Sequence, residues 1–556
     1  MLAFPAMAWR TLLGLALMLV GCSPPRTVEH DLAALLPVAE VSSGVRAGRG
    51  SLFLPPGTEA VFYLDLPGES EFSLAGVSGS LAVEVQEEGK AEKVLGSIAA
   101  GTVELPGKDR HLLRLALRAD GGAVRLARPR VISETRQPEP VPAPVRKEKS
   151  QGKPLPNVII YLVDTLRADR LGCYGYPKPT SPHLDRFAEG ATLFETAVAQ
   201  APWTRPSVAS ILTGMGPLEH GVRTLEDRLP DAADTLPERL RAAGYRTAAF
   251  STNWHVSKDT GLAQGFDDFL FFPEEPDSTS VNRRVLAWLD GHRGSKPFFL
   301  YIHALDPHAP YLPPPDLRRR FAPGSPPQAG TIESLRRIYK ARGEERSALI
   351  AEVTPLYDAE IAANDRSFGA LLSALKDREL FEESLIVFVS DHGEAFGEHR
   401  DFGHARSLYA EELDVPLVVK LPSQVRGERS ARLAQHVDLL PTVLAAAGLP
   451  PAPGLRGEDL FGPGESGPAF SHLSYSGRVG MSVVFDGWKR IEPWSRKLGR
   501  RPELYRGRDE HNDLVGSHPV RSGFLATLLR AEKLRSRHGL RPEQAGMDEE
   551  TRRGLE

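Results

Sequence analysis

The sequence predicts an α/β protein: a large domain built on a mostly parallel sheet flanked by helices, with a β-sandwich-like domain before it and a small α+β subdomain after it. Three observations predict this. Continuous apolar runs at 158–163 and 385–390 suit strands buried on both faces. Helical and strand patterns alternate from Asn157 onward, as they do around a parallel sheet. Before residue 133 the apolar runs are short and separated by Gly turns, with no helix-length period between them.

The first region carries short runs at 60–66, 81–85, 111–117 and 123–126, with turns at Pro67-Gly68 and Gly121-Gly122. Residues 134–156 are dense in Pro and charge and read as a linker. Next comes 158–163, ending in Asp164. A helix is expected at 236–243, stopped by Gly244, then a strand at 247–251. Another helix and strand follow at 283–289 and 297–305. The apolar positions Ile361, Phe368, Leu371, Leu372 and Leu375 place a long amphipathic helix over 357–375. Strands are expected at 385–390 and 415–421, and a helix at 436–447 closed by Gly448. The domain boundaries that result are 22–133, 157–467 for the large domain, 468–530 for the terminal subdomain, and a charged tail over 531–556.

The chain has 556 residues, 41% hydrophobic and 25% charged, as in an ordinary globular protein. Its net charge of −4 lacks the basic footprint of a nucleic-acid binder. Residues 1–21 read as a signal peptide: Arg10 precedes an apolar run over 11–20 that is short for a membrane span. Leu19-Val20-Gly21-Cys22 resembles a bacterial lipobox. That resemblance implies lipidation of Cys22 and anchoring to a membrane of the bacterial cell envelope, on its extracytoplasmic side. Lipidation would leave Cys173 as a lone thiol, read here as a small buried hydrophobe.

Two predicted strands end in acids, Val163-Asp164 and Ser390-Asp391-His392. Ligands gather at the carboxyl ends of strands in open α/β sheets. Two carboxylates and one imidazole there suit one divalent cation: Mn, Zn, Mg or Ca. Thr204 precedes Pro206 near a predicted helix N-terminus, where free N–H groups favour an anion. Thr204 is therefore a helix cap, a hydroxyl set beside a bound anion, or both.

Four segments together resemble the sulfatase branch of the alkaline phosphatase superfamily. They are 157–164 with Asp185; 203–214 followed by His220-Gly221-Val222; Ser390-Asp391-His392-Gly393-Glu394 with Gly397-Glu398-His399; and 437–444 before Gly448. The resemblance covers roughly residues 157–515 and implies an alkaline-phosphatase/sulfatase-like fold. By position it implies Asp164, Asp391 and His392 as metal ligands, with Thr204 as the nucleophile that also touches the metal. It implies His308 and His255 facing the transferred anion or its leaving group, with His404 as a further donor. Asn253 falls where many sulfatases have a Lys.

The sequence also departs from that pattern. Formylglycine is made from Cys or Ser, and Thr204 is neither. Val208 stands where a supporting Arg is usual, and Thr165 replaces the second Asp of a metal-binding pair. A Thr at the nucleophile position resembles the phosphoethanolamine and phosphoglycerol transferases of cell envelopes. Three readings stay open: a phosphate-ester hydrolase or transferase working through Thr204, a sulfuric ester hydrolase without formylglycine, and a non-catalytic ligand-binding lipoprotein. The substrate in the first two is a small-molecule, glycan-linked or lipid-linked ester.

Overall fold

The computed structural model describes residues 26–98, 100–135, 155–292 and 296–545. The lipobox, most of the expected linker and the end of the chain lie outside the described residues. Among the described residues no helix is long and apolar enough to cross a membrane.

The large domain is organised by an eight-stranded sheet. Its strands, in spatial order, are Asp268–Phe271, Arg246–Ser251, Phe298–Ala304, Val158–Val163, Leu385–Ser390, Leu417–Lys420, Thr192–Val198 and Glu428–Gln435. The sheet is mixed. Leu417–Lys420 runs antiparallel to both neighbours, while every other pairing is parallel. Two reversals across that one strand cancel, so Thr192–Val198 again points the same way as Leu385–Ser390. The chain therefore leaves seven strands at one edge of the sheet.

The strand Val158–Val163 shows why this sheet is central. Val158, Ile160 and Leu162 enter one hydrophobic core, and Ile159, Tyr161 and Val163 enter the other, on the opposite face. Successive side chains of a strand point to opposite faces, so only a doubly covered strand can be apolar at every position. Each such buried side chain contributes roughly 1.5–3 kcal/mol. Helices Thr204–Thr213 and Leu439–Ala447 cover one face; Ser278–Gly291 and Gly343–Asp377 cover the other. The expected helix over 357–375 is the second half of Gly343–Asp377, which carries Pro355 inside it.

Before the large domain, three small antiparallel sheets share one core that includes Phe62, Phe72, Leu115 and Val131. After it, Ala469–Tyr475, Arg478–Phe485, Trp488–Pro493 and Glu503–Arg506 form a four-stranded antiparallel sheet.

A buried helix runs into the start of the expected charged tail, whose residues 533–545 are exposed or half-buried. Helix Pro519–Arg535 is buried along most of its length, through Ala531 and Glu532. It packs Phe524 and Leu528 beside Leu112 of the first domain and Trp488 of the terminal sheet. Farther on, Glu543–Gln544 pairs with Asp227–Arg228. The high charge of this helix misleads because charged side chains on it are spent on inter-domain pairs. Arg521 meets Glu88 at 2.7 Å, and Arg456 meets Glu532.

Candidate active site

Register brings the acids together. Val163 is level with Ala304 on one side and Ser390 on the other. The residues that follow Val163 and Ser390 are Asp164 and Asp391, so two neighbouring parallel strands deliver two carboxylates at the same height. Both are fully buried, as is His392. One ligand atom from each of these three lies within 4.8 Å of the others.

Their hydrogen bonds decide which atoms remain available. Asp164 Oδ2 accepts from Asn253 Nδ2 at 2.6 Å and lies 3.0 Å from His303 Nε2. Asp391 Oδ1 accepts from the backbone N–H of His392 at 3.0 Å and of Thr165 at 3.3 Å. The other oxygens, Asp164 Oδ1 and Asp391 Oδ2, are buried without a hydrogen-bond partner. They lie 3.6 and 3.5 Å from His392 Nε2. The opposite ring nitrogen, Nδ1, is 3.0 Å from the carbonyl of Gly393, which turns the Nε2 lone pair toward the two oxygens. Buried carboxylate oxygens are costly to leave unmatched. These two oxygens and His392 Nε2, gathered together, fit a divalent cation with oxygen and nitrogen ligands.

The two acids are pushed in opposite directions. Burial would raise Asp164, but His308, His303 and His392 outweigh it and hold the carboxyl below its usual range. Burial, and then the charge of Asp164, raise Asp391 well above the usual range. Two carboxylates this close favour either a shared proton or a cation.

Thr204 is the first residue of helix Thr204–Thr213. All ten residues of that helix are buried. The N-cap position is Trp203, and no side chain caps the helix. The reading of Thr204 as a helix cap is thereby overturned. Its hydroxyl instead lies 3.3 Å from His392 Nε2, at the edge of the three-residue cluster. Thr165, beside Asp164, holds a φ of 57°, a conformation that is strained for a β-branched residue.

Around this centre stand three more histidines. His404 contacts His392 and His308, with ring centroids 4.7 and 5.1 Å away. Its Nδ1 is 2.9 Å from Glu394 Oε1. Burial lowers His404, but Glu394 overcomes this and the imidazole is raised above its ordinary range. His308 uses Nδ1 on the carbonyl of Ala309 at 2.6 Å, which leaves Nε2 for a ligand. The backbone N–H of His255 donates to Asn253 Oδ1 at 2.8 Å. Asn253 thus ties one carboxylate of the cluster to the backbone of His255; it does not supply a charge.

Two supporting pairs escaped the sequence reading. His303, with 0% exposure, joins Asp164 to the hydroxyl of Tyr301, 3.0 Å from His303 Nδ1. A histidine inside the apolar run Phe298–Ala304 was the available signal. Glu394 backs His404 and accepts from Tyr311 at 3.0 Å. It stands next to Gly393 in the quoted motif, but nothing in the sequence pairs it with His404.

Strand-edge acids, a helix N-terminus with a hydroxyl, and a ring of imidazoles thus meet at one end of the sheet. The match to the family described as Sulfatase spans residues 156–449, more than half of the chain, and the protein belongs to the sulfatase family. Among curated relatives, it is 27% identical over 350 residues to an ulvan-active sulfatase of Formosa agariphila, covering 57% of this chain and 66% of that one. It is 30% identical over 303 residues to a low-salt glycan biosynthesis sulfotransferase of Haloferax volcanii, covering 52% and 61%. The chain thus spans less than two thirds of either relative's length. The crystal structure of a phosphonate monoester hydrolase of Agrobacterium radiobacter has the same fold, with a TM-score of 0.57 at 20% identity. It covers 69% of this chain and 96% of that one.

Proposed function

We propose that the protein is a metal-dependent hydrolase or transferase of phosphate or sulfate esters that uses Thr204 as its nucleophile. The observation that carries this reading is the Thr204 hydroxyl beside His392 Nε2 and the two unmatched carboxylate oxygens. Asp164, Asp391 and His392 would hold a divalent cation. When bound, it would lower the pKa of an adjacent hydroxyl and offset the charge of the transferred group.

The chain's own residues account for the rest. Thr204 gives its hydroxyl proton to water, its Oγ attacks phosphorus or sulfur, and the bond to the leaving oxygen breaks. The N-terminus of helix Thr204–Thr213 offers N–H groups to the growing negative charge. His404 or His308 donates a proton to the leaving oxygen. Water, or an acceptor alcohol, then takes the group from Thr204 and frees its hydroxyl.

The names of the curated relatives include a sulfatase active on ulvan and a sulfotransferase of glycan biosynthesis. We extend that to this chain as a glycan-linked ester substrate. The lipobox-like Leu19-Val20-Gly21-Cys22 supports placement on a bacterial envelope membrane. Loss of the protein from the membrane fraction in Cys22→Ser would agree with that placement, and full retention would overturn it.

The test is turnover of aryl sulfate, aryl phosphate, phosphodiester and phosphonate across Mn, Zn, Mg and Ca. The reading expects turnover of at least one with metal, abolished in Thr204→Ala. Near-wild-type turnover by Thr204→Ala would remove the nucleophile assignment. No turnover and no bound metal would leave a ligand-binding lipoprotein.

A further inference from the structure

Arg205 follows the proposed nucleophile, yet its side chain is 0% exposed. Nη1 donates to the backbone carbonyls of Leu225 and Asp227, the latter at 2.9 Å. Nη2 lies 3.4 Å from Nδ1 of His255. Among the described residues no carboxylate hydrogen-bonds this guanidinium, and its Nε has no partner. The Asp227 carboxylate is turned away, accepting from the backbone of Arg223 and Thr224. A buried cation without a matched anion is costly, so it calls for a use.

Hydrogen-bond chemistry supplies one. A guanidinium carries only donors and is never an acceptor. Nδ1 of His255 must therefore accept from Arg205, which leaves the imidazole proton on Nε2. No protein group pairs with Nε2 among the described residues. Asn253, which accepts from the backbone N–H of His255 and donates to Asp164, sets this ring beside the same pocket. The ring also packs edge-on against Trp203, with centroids 5.6 Å apart, and its backbone is tied to Asn253.

We propose that Arg205 is a positioning residue that fixes His255 as a neutral Nε2–H donor to an oxygen of the transferred phosphoryl or sulfuryl group. The ring it polarises then offers an N–H donor from a position other than 208 and 253, where this chain has Val and Asn. Burial, and then the neighbouring guanidinium, hold His255 well below the ordinary imidazole range, in keeping with a neutral ring. This inference rests on the ester-cleaving reading of the site, and its central claim can be read without turnover.

The experiment is nitrogen-15 NMR of histidine-labelled full-length protein, with His255 assigned from the His255→Gln spectrum. The expected wild-type result is a protonated Nε2 and a bare Nδ1, unchanged from pH 5 to 8. Arg205→Met should mix the tautomers, and Arg205→Lys should restore the wild-type pattern. In kinetics on whichever ester is turned over, Arg205→Met should lower kcat/KM by about 10- to 100-fold. It should add little to the loss in His255→Ala, and Arg205→Lys should recover part of it. A proton on Nδ1 in the wild type overturns the proposal, as do additive losses in the double variant. If Arg205→Met does not fold, the wild-type tautomer and Arg205→Lys still decide. Absence of any turnover would count against the ester-cleaving reading, while the tautomer would still test this one.

Discussion

Thr204 Oγ and His392 Nε2 stand 3.3 Å apart, although 188 residues separate them in the chain. One begins a helix that follows the strand Thr192–Val198; the other follows the strand Leu385–Ser390. Their meeting is a product of sheet order, and it sets the chemistry expected of Thr204.

Thr204→Ala should lower turnover by at least about a thousandfold, because the attacking oxygen is removed. Thr204→Ser should keep measurable activity, since a hydroxyl remains at the helix start. Thermal melts of both should match the wild type within a few degrees. Mass spectrometry of the quenched wild type should find the transferred group on the peptide that contains Thr204.

Metal content and stability should separate in Asp391→Asn. The wild type should carry about one divalent ion per chain by elemental analysis, and the variant close to none. Without metal, the burial of Asp391 beside Asp164 opposes two charges, and Asn removes one of them. Metal-free Asp391→Asn should therefore melt at or up to roughly 4 °C above metal-free wild type. With metal added, the order should reverse, because only the wild type gains binding energy.

His220 should make the protein acid-sensitive. Its Nδ1 accepts from the backbone N–H of Val222, and its Nε2 lies 3.1 Å from Ser210 Oγ on the helix of Thr204. A second ring proton would face the Val222 N–H. Burial lowers this imidazole from 6.5 to about 3. Between those pH values the unfolded chain takes a proton that the native state refuses, so stability falls as pH falls. The loss should reach roughly 3 kcal/mol by pH 4. His472, also lowered by burial to about 3, adds to the same slope. Urea unfolding at pH 7 and pH 4 measures it; His220→Gln should flatten the pH dependence by the His220 share, roughly 3 kcal/mol.

The docking of the first domain should hinge on Gly523. A Cβ there would lie 2.2 Å from the ring of Tyr63, far inside contact distance. Gly523→Ala should cost about 1–3 kcal/mol by overpacking. Tyr63→Ala in the same chain should recover part of that cost. Two separated calorimetric transitions in Gly523→Ala, against one in the wild type, would show that the helix Pro519–Arg535 couples the domains.

Much of the large domain was legible because its strands are covered on both faces. The runs 158–163 and 385–389 could not be apolar at every position otherwise. The acids that end them were legible for the same reason, since a polar residue stops such a run. Helix Pro519–Arg535 was not legible. Its charged residues look solvated in sequence, and only their partners show otherwise: Glu88 for Arg521, and Arg456 for Glu532. The mixed character of the sheet was hidden too, because an apolar strand reads the same in either direction.

By itself, then, the sequence determined the α/β architecture, the acids at the strand ends, and the departures at Thr204, Thr165, Val208 and Asn253. Periodicity and residue chemistry are local properties, and they survive in a linear string. Tertiary structure decided which oxygens of Asp164 and Asp391 stay unmatched, that Thr204 caps nothing, and that Arg205 turns inward to His255. Those outcomes depend on strand register and on partners far away in the chain. A hydrogen bond is satisfied or left open only in three dimensions.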